Sequence, residues 1–260
     1  MAGISLPVRS RSFGETSRRD RWWLKPLLVF LGLSAFVVYA TWAALQGEHY
    51  HVDGTNYLSP FYSPELWGHS PHAWFGEPPD WLPFFSPAIL ILWAPGGFRV
   101  TCYYYRGAYY KAFWADPPSC AVGEPRKGYI GESNWPLRIQ NIHRYFLYIA
   151  VLFIFLLAYD ALTAYLFEDG FGVGVGSLVL TANVILLAGY TFGCHSLRHL
   201  VGGRMDCISA SPTCDTLYKG CSALNRRHPL WAWMSLFSVM FADVYVRLCS
   251  MGVWRDLRLI

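Results

Sequence analysis

The sequence predicts an all-α integral membrane protein with five transmembrane helices, a cytoplasmic N-terminus and an outer aromatic cap. Three observations predict this class: an apolar composition, long uncharged stretches, and basic residues confined to alternate loops. The 260 residues are 54% hydrophobic, 18% aromatic and only 15% charged, with a mean hydropathy of +0.25. Because an ordinary soluble domain is about one quarter charged, this composition cannot cover the surface of a water-soluble globule.

Four stretches are long enough to cross a bilayer. The first, residues 26–45, is uncharged over 20 residues, and at ~1.5 Å rise per residue it spans a ~30 Å hydrocarbon core. It is too long for a signal peptide and lacks a small-residue cleavage site. The other three are residues 145–167, 173–193 and 230–246.

A fifth stretch, residues 84–98, is shorter and contains Pro87 and Pro95, so a re-entrant or interfacial segment is the alternative to a crossing. The distribution of basic residues favours the crossing. There are six Lys or Arg in residues 1–25, none in 47–83, six in 99–138, none in 168–172 and five in 198–228. This alternation requires five crossings with the N-terminus inside, and Arg247, Arg255 and Arg258 beyond the last span are its one exception.

The predicted organisation is therefore a basic N-terminal arm, residues 1–25, followed by a five-helix membrane-anchor domain, residues 26–260. The arm is expected to serve topology and contact with lipid headgroups. Residues 48–80 are rich in His, Pro and aromatic side chains, and we expect them to form the outer cap, at the interface that Tyr and Trp prefer.

On this topology most Cys and His residues lie at the inner face. Seven Cys is a sparse and odd number, which favours free or metal-bound thiols over disulfides. If the third long span continues as a helix, His195 and His199 are four residues apart and face the same way, a spacing that lets two imidazoles reach one metal ion. The candidate metal ligands at this depth are Cys102, Cys120, His143, Cys194, His195 and His199.

Two cofactors fit these residues, and a purely structural role is the alternative. Two thiolates and two imidazoles suit a Rieske-type [2Fe–2S] cluster, in which Cys binds one iron and His the other. A b-type haem held by His143 with His195 or His199 is the rival cofactor. The alternative is that each Cys is packed as a small apolar side chain and each His bonds to a carbonyl or headgroup. Cys207, Cys214 and Cys221, spaced by seven residues, are taken as non-ligands.

Two acids, Asp160 and Asp243, lie inside predicted spans. An intramembrane carboxylate is costly, so function or pairing is the default hypothesis for each. A proton path or quinone contact and a purely structural hydrogen bond are both open. A transporter or channel would also use such acids, but the sequence has no inverted repeat or paired broken helices.

Four motifs resemble one known family: YLSPFYSP at 57–64, GFRVTCYYYRGAYYKAFWADPPSCAVGEP at 97–125, NIHRYFLY at 141–148 and GYTFGCHSLRHLVGG at 189–203. Across about residues 57–253 the chain resembles the single membrane-anchor subunit, of the SdhC type, of the haem-lacking succinate dehydrogenase (complex II) typified by mycobacteria. The resemblance implies a bacterial cytoplasmic membrane, with flavoprotein and iron–sulfur partner subunits at the cytoplasmic face. It implies no nucleic-acid partner and leaves open whether the complex is a trimer.

The resemblance further implies a membrane-embedded Rieske-type cluster in place of haem. Its ligands are then expected among the six Cys and His candidates, first among them Cys102, Cys120, His195 and His199. The family can have Cys at position 197, where this sequence has Leu197; if that thiol is a ligand, Cys194 or Cys207 must replace it. An anchor with no cofactor of its own is the structural alternative.

Quinone is the expected substrate of such an anchor. A quinone needs an apolar slot with one or two hydrogen-bond donors at its carbonyl oxygens. Five residues near the inner interface could donate: Arg99, Tyr103, Tyr105, Arg106 and Arg144. Snorkelling arginines and an aromatic belt are the competing explanation for the same residues.

Overall fold

The computed structural model describes residues 12–80, 86–115, 117–125, 141–203 and 206–260. The chain forms two compact units, described separately below. The first comprises Met1–Ala35 and Val100–Asn141, and the second comprises Phe36–Arg99 and Ile142–Ile260.

Helices dominate the described residues. In chain order they are α1 Leu24–Gln46, α2 Pro87–Val100, α3 Tyr103–Tyr109, α4 His143–Thr163, α5 Val175–Phe192, α6 His195–Gly202, α7 Pro212–Asn225 and α8 His228–Ser250. A π-helical turn at Tyr110–Trp114 follows α3, and a 3₁₀ turn at Ile208–Ala210 precedes α7. Two short antiparallel hairpins pair β1 His51–Val52 with β2 Tyr57–Leu58, and β3 Leu166–Phe167 with β4 Gly170–Phe171.

Four of these helices, α1, α4, α5 and α8, are long and apolar enough to cross a membrane. They confirm long apolar helices at the four positions where the sequence predicts long spans. The fifth stretch forms α2, an apolar helix of 14 residues, which at 1.5 Å per residue is ~21 Å long and shorter than a ~30 Å hydrocarbon core. Residues 84 and 85 of that predicted span lie outside the described residues.

One helix ends before the predicted span does. The span expected at 145–167 ends at Thr163, and Leu166–Phe167 instead pairs with Gly170–Phe171 in the second hairpin. The intervening Glu168 and Asp169 favour a turn, and Gly170 takes a φ of +121°, which L-residues rarely adopt. Turn chemistry therefore overrides the apolar character of Leu166 and Phe167.

In the second unit, α5 packs against both α4 and α8. Gly189 on α5 allows this close approach, because a Cβ there would lie 2.6 Å from the Trp231 ring of α8. Gly176 likewise allows the Tyr57 ring to pack against α5, because a Cβ at residue 176 would lie 2.3 Å from that ring. Small residues at helix interfaces are the usual device for bringing membrane helices together.

Three segments gather at one end of the second unit. Asn56 Nδ2, in the turn of the first hairpin, donates to the Leu166 carbonyl at 2.7 Å in the α4–α5 turn. The Tyr57 hydroxyl donates to Asp256 Oδ2 at 2.6 Å in the C-terminal segment. Val173 N also donates to the Ile260 carbonyl at 3.1 Å. These segments adjoin the C-terminal ends of α4 and α8, so the first residues of both helices, His143 and His228, lie at the opposite end of the second unit.

The segment 48–80, expected to be a cap, is ordered around buried aromatic rings. Tyr50 and Tyr62 stack with centroids 4.2 Å apart, and both are almost fully buried. The Tyr50 hydroxyl donates at 2.7 Å to Glu65, whose carboxylate is fully buried and also accepts from Ser70. These contacts make the segment part of the packed second unit.

Both intramembrane acids have partners. Asp160 accepts a hydrogen bond from Ser63, and Asp243 accepts from Ser59 and, at 2.6 Å, from the Tyr39 hydroxyl. Arg247 Nε also donates to Asp243 at 3.1 Å.

The placement of Arg247 differs from the sequence expectation. The residue lies inside α8 rather than beyond the last span, and it is only 4% exposed. Its guanidinium reaches the carbonyls of Ala43 and Glu48 at 3.2 and 2.8 Å, at the end of α1. The charge is buried because Asp243 and these carbonyls replace its water.

Candidate functional site

The Cys- and His-containing end of the second unit is built around a break between α5 and α6. Helix α5 ends at Phe192, Gly193 caps it, and Cys194 takes an extended conformation as the N-cap of α6. The third long span therefore does not continue as one helix. Cys194 Sγ accepts a hydrogen bond from Ser196 N at 3.4 Å, which turns the thiol back over the first turn of α6.

Cys194 contacts His143, the first residue of α4. His143 Nε2 lies 3.1 Å from Cys194 Sγ, and both side chains are 2% exposed. The His143 ring stacks on Phe98 of α2 with centroids 4.6 Å apart and an angle of 8°. Three helix termini, of α2, α4 and α6, therefore meet at this imidazole.

His195 and His199 form a second pair, on α6. Their rings lie 4.4 Å apart and their Nε2 atoms 3.0 Å apart. The predicted i,i+4 pairing thus exists, although α6 is a separate helix. Burial, then the neighbouring His199 and Arg198, lower the pKa of His195 below its usual value, which favours the neutral imidazole that binds metals.

The residues fit an iron–sulfur centre in part. Two imidazole nitrogens bound ~2.1 Å from one tetrahedral metal would be ~3.4 Å apart. The His195 and His199 Nε2 atoms lie 3.0 Å apart, so a small side-chain adjustment would let both reach one metal ion. Among the described residues, no three His, Cys, Asp or Glu side chains converge to hold a metal ion. The second unit thus presents a two-nitrogen pair, His195 with His199, and a His/Cys pair, His143 with Cys194.

Cys102 and Cys120 belong to the first unit. Cys102 is buried at the N-cap of α3, whereas Cys120 is exposed in the loop after the π-helical turn. Three predicted quinone donors also lie in this unit: Tyr105 is buried, Tyr103 is 44% exposed, and the Arg106 guanidinium stands 5.4 Å from the Tyr103 ring centroid.

The second unit contains an apolar cavity of about 170 Å³. Residues from α1, α2, α4, α5 and α8 and from the segment after β2 line it: Phe36, Ala40, Pro60, Phe61, Leu92, Pro95, Gly96, Phe98, Arg99, Ala150, Phe153, Ile154, Leu157, Leu187, Tyr190, Thr191 and Val239. Of the five predicted quinone donors, Arg99 lines this cavity. Arg144 is exposed instead, and its NH2 donates to the Tyr145 hydroxyl at 3.2 Å.

Arg99 is held in place by α5 and α8. Its NH2 donates to Ser235 Oγ at 3.0 Å, its NH1 donates to the Ala232 carbonyl at 3.3 Å, and its guanidinium lies 4.7 Å from the Tyr190 ring centroid. A guanidinium over an aromatic face gains cation–π attraction. The positive charge is therefore fixed at the wall of an otherwise apolar cavity.

Tyr190 and His228 were not expected as site residues. Tyr190 is 1% exposed, stacks on His228 at 5.0 Å and meets Phe98 edge-on at 5.5 Å. Tyr190 lies in the GYTFGCH motif, and His228 begins α8 at the depth where His143 begins α4. That common depth is the signal that could have identified His228.

Comparison with known proteins agrees with the motifs. The family model for the actinobacterial succinate dehydrogenase subunit SdhC matches residues 24–252. A chain of the Mycobacterium smegmatis Sdh1 complex in the apo form is similar in structure, with a TM-score of 0.88, 44% sequence identity and 100% of each chain covered. No curated protein sequence matches this chain. Because the family model covers most of the sequence, this chain belongs to the SdhC family, the membrane subunit of actinobacterial succinate dehydrogenase.

Proposed function

We propose that this subunit is the anchor through which succinate dehydrogenase passes electrons to quinone. Flavoprotein and iron–sulfur subunits would sit at its cytoplasmic face, as expected for an enzyme of this family. The anchor itself would bind no succinate. It would carry the last step, the two-electron, two-proton reduction of quinone to quinol.

The apolar cavity carries this proposal. An apolar cavity of roughly 150 Å³ is enough to hold a benzene ring, so about 170 Å³ can take the carbonyl-bearing ring of a quinone. Aromatic and aliphatic side chains would contact the ring, and Arg99 would donate to a carbonyl oxygen. One fixed donor in an apolar slot is the arrangement that orients such a ligand.

The position of Arg99 also suits the chemistry. Negative charge develops on the quinone oxygens as electrons arrive, and a guanidinium already held by Ser235 and Ala232 stabilises that charge without moving. Protons must reach the same oxygens. The Tyr190 hydroxyl, on a side chain that lines the cavity, and the His228 ring stacked on it carry exchangeable protons near this wall.

We extend the proposal to an iron–sulfur centre near the Cys- and His-containing end. His195 and His199 would supply its two nitrogen ligands, and its sulfur ligands would come from among Cys102, Cys120 and Cys194. Such a centre would supply one-electron transfer between the partner subunit and the quinone. The 3.0 Å separation of the two Nε2 atoms supports the nitrogen half of this assignment.

A five-crossing topology in the bacterial cytoplasmic membrane completes the proposal. The segment after α1, the α4–α5 turn and the C-terminal segment are hydrogen-bonded to one another at one end of the second unit. With four crossings, the segment after α1 and the α4–α5 turn would lie on opposite sides of the membrane. Their contact supports a crossing by α2 despite its short length.

The decisive test replaces Arg99 by Gln in the whole complex. We expect succinate oxidation with quinone as acceptor to fall roughly 30-fold, because a charge-assisted hydrogen bond contributes about 2 kcal/mol. Succinate oxidation with a water-soluble artificial acceptor should stay unchanged, since it bypasses the anchor. The two rates are measured on the same preparation.

The matched control is Arg255→Gln. Arg255 is an exposed arginine beyond α8, so the same chemical change should leave both rates as they are. If Arg99→Gln and Arg255→Gln reduce quinone equally well, the cavity is not the quinone site. If both acceptor rates fall together in Arg99→Gln, the residue supports assembly rather than quinone reduction.

A further inference from the structure

The N-terminal arm contacts a specific loop of its own chain. Gly14 N donates to the Gly123 carbonyl at 3.0 Å, and Gly123 N donates to the Glu15 carbonyl at 2.9 Å. This is a reciprocal backbone pairing between the arm and residues 117–125, named here the Cys120 loop. Both segments belong to the first unit.

Two side chains of the arm extend the pairing to Cys120 itself. Thr16 Oγ1 donates to the Ala121 carbonyl at 2.8 Å. Arg18 NH1 donates both to Ser119 Oγ at 2.8 Å and to the Cys120 carbonyl at 3.0 Å. The carbonyls of two successive residues, Cys120 and Ala121, are therefore held by the arm.

Arg18 is itself held in place. Its Nε donates to Asp20 Oδ1 at 2.7 Å and its NH2 to Asp20 Oδ2, so the guanidinium is bound in a two-point pair within the arm. This hydrogen bond keeps the pKa of Asp20 below its usual value. A guanidinium held on one edge by a carboxylate presents its remaining N–H groups in a defined direction.

The Cys120 loop needs such support. Ala121 has a φ of +61°, in the left-handed region that residues other than Gly, Asn and Asp rarely adopt. Such a conformation persists only where the surrounding contacts hold it. Thr16 binds the carbonyl of this residue, so the strained position and the arm contact coincide.

We infer that Thr16 and Arg18 are positioning residues that hold the Cys120 loop, and with it the Cys120 side chain, in one conformation. The basic arm thus has a role beyond topology and headgroup contact. The inference rests on the proposed function in one respect: it concerns Cys120 as one of the proposed sulfur ligands. The contacts themselves do not depend on that assignment.

The test uses the intact complex with Thr16→Val or Arg18→Gln and two readouts. The first is hydrogen–deuterium exchange of the peptide containing the Cys120 loop, which should become about tenfold faster in either variant as one or two hydrogen bonds are lost. The second is the electron paramagnetic resonance spectrum of the reduced complex. A ligand that is no longer held in one position should broaden or shift the signal of the iron–sulfur centre.

Two controls sharpen the test. Arg19→Gln removes an exposed neighbouring arginine that has no hydrogen bond or ion pair within the described residues, so both readouts should match the unaltered complex. Ala121→Gly relieves the backbone strain. Combined with Thr16→Val, it should restore part of the lost protection, because glycine adopts a positive φ without the steric cost that alanine carries.

The outcomes separate this inference from the proposed function. Unchanged exchange in both arm variants overturns the inference, whatever the iron signal. Faster exchange with an unchanged signal overturns the positioning of Cys120 and leaves a purely structural contact. Absence of any iron–sulfur signal from the anchor in the unaltered complex overturns the proposed centre, and the inference then stands or falls on exchange alone.

Discussion

At the scale of single residues, the buried pair of Asp243 and Arg247 shows how a charge is accommodated inside the second unit. Asp243 is fully buried and Arg247 nearly so, and the two lie four residues apart on α8. The arginine also binds the end of α1, while Tyr39 and Ser59 donate to the carboxylate. The pair therefore connects α1, α8 and the segment after α1.

Replacing Arg247 by Met should be strongly destabilising. The change leaves Asp243 buried without its cation. We expect a loss of about 3–5 kcal/mol in unfolding free energy, the usual cost of removing one partner of a buried ion pair. The double variant Asp243→Leu with Arg247→Met should lose less, since no lone charge remains. Denaturation of the purified complex in detergent measures the difference in unfolding free energy.

The control for this prediction is Arg255→Met, which alters an exposed arginine near the same end of the chain. A free energy of unfolding for Arg247→Met equal to that of Arg255→Met would show that the pair does not stabilise the fold.

At the scale of secondary-structure elements, helix packing depends on a few glycines whose surroundings differ. Gly189 on α5 faces the Trp231 ring at a distance that leaves no room for a methyl group. Gly220 on α7 has nothing within 4 Å of the corresponding position. The same residue type therefore serves close packing at one position and has no packing role at the other.

We expect Gly189→Ala and Gly220→Ala to change stability in opposite directions. At Gly189 the new methyl group must displace Trp231, and overpacking costs about 1–3 kcal/mol. At Gly220 the change lowers the entropy of the unfolded chain and should stabilise by roughly 0.5–1 kcal/mol. Thermal unfolding of the two variant complexes, compared with the parent, gives both signs. Equal shifts of the same sign would contradict this account of the α5–α8 contact.

At the scale of the whole molecule, the central question is how often the chain crosses the membrane. Four helices have the required length, and α2 does not. The positions of the basic residues and the contacts among the segment after α1, the α4–α5 turn and the C-terminal segment both favour five crossings. A short helix can cross when flanking residues snorkel or the bilayer thins locally.

Side-specific thiol labelling decides between four and five crossings. With five, a cysteine introduced as Asp53→Cys, at a side chain that is 99% exposed, should react with an impermeant reagent in intact cells. The native exposed Cys207 should react only after the membrane is opened. Reaction of both thiols from the same side would exclude the five-crossing arrangement.

Much of the fold follows from local pattern. Uncharged stretches of about 20 residues located four helices because the bilayer requires a continuous apolar surface of that length. The i,i+4 spacing of His195 and His199 placed their rings together because any helix puts such residues on one face. The end of α4 was missed because a turn at Gly170, and not hydropathy, sets it.

The sequence by itself determined the class of protein, the long spans, the His195–His199 pair and Arg99 as a candidate quinone donor. Only the tertiary structure decided that His143 meets Cys194, that Tyr190 and His228 join Arg99 beside a cavity, and that the arm binds the Cys120 loop. The reason is physical. Hydropathy and helical periodicity act over neighbouring residues. These contacts instead join residues that lie 38 positions apart, as Tyr190 and His228 do, up to 109 positions apart, as Gly14 and Gly123 do. They therefore depend on how helices and loops pack.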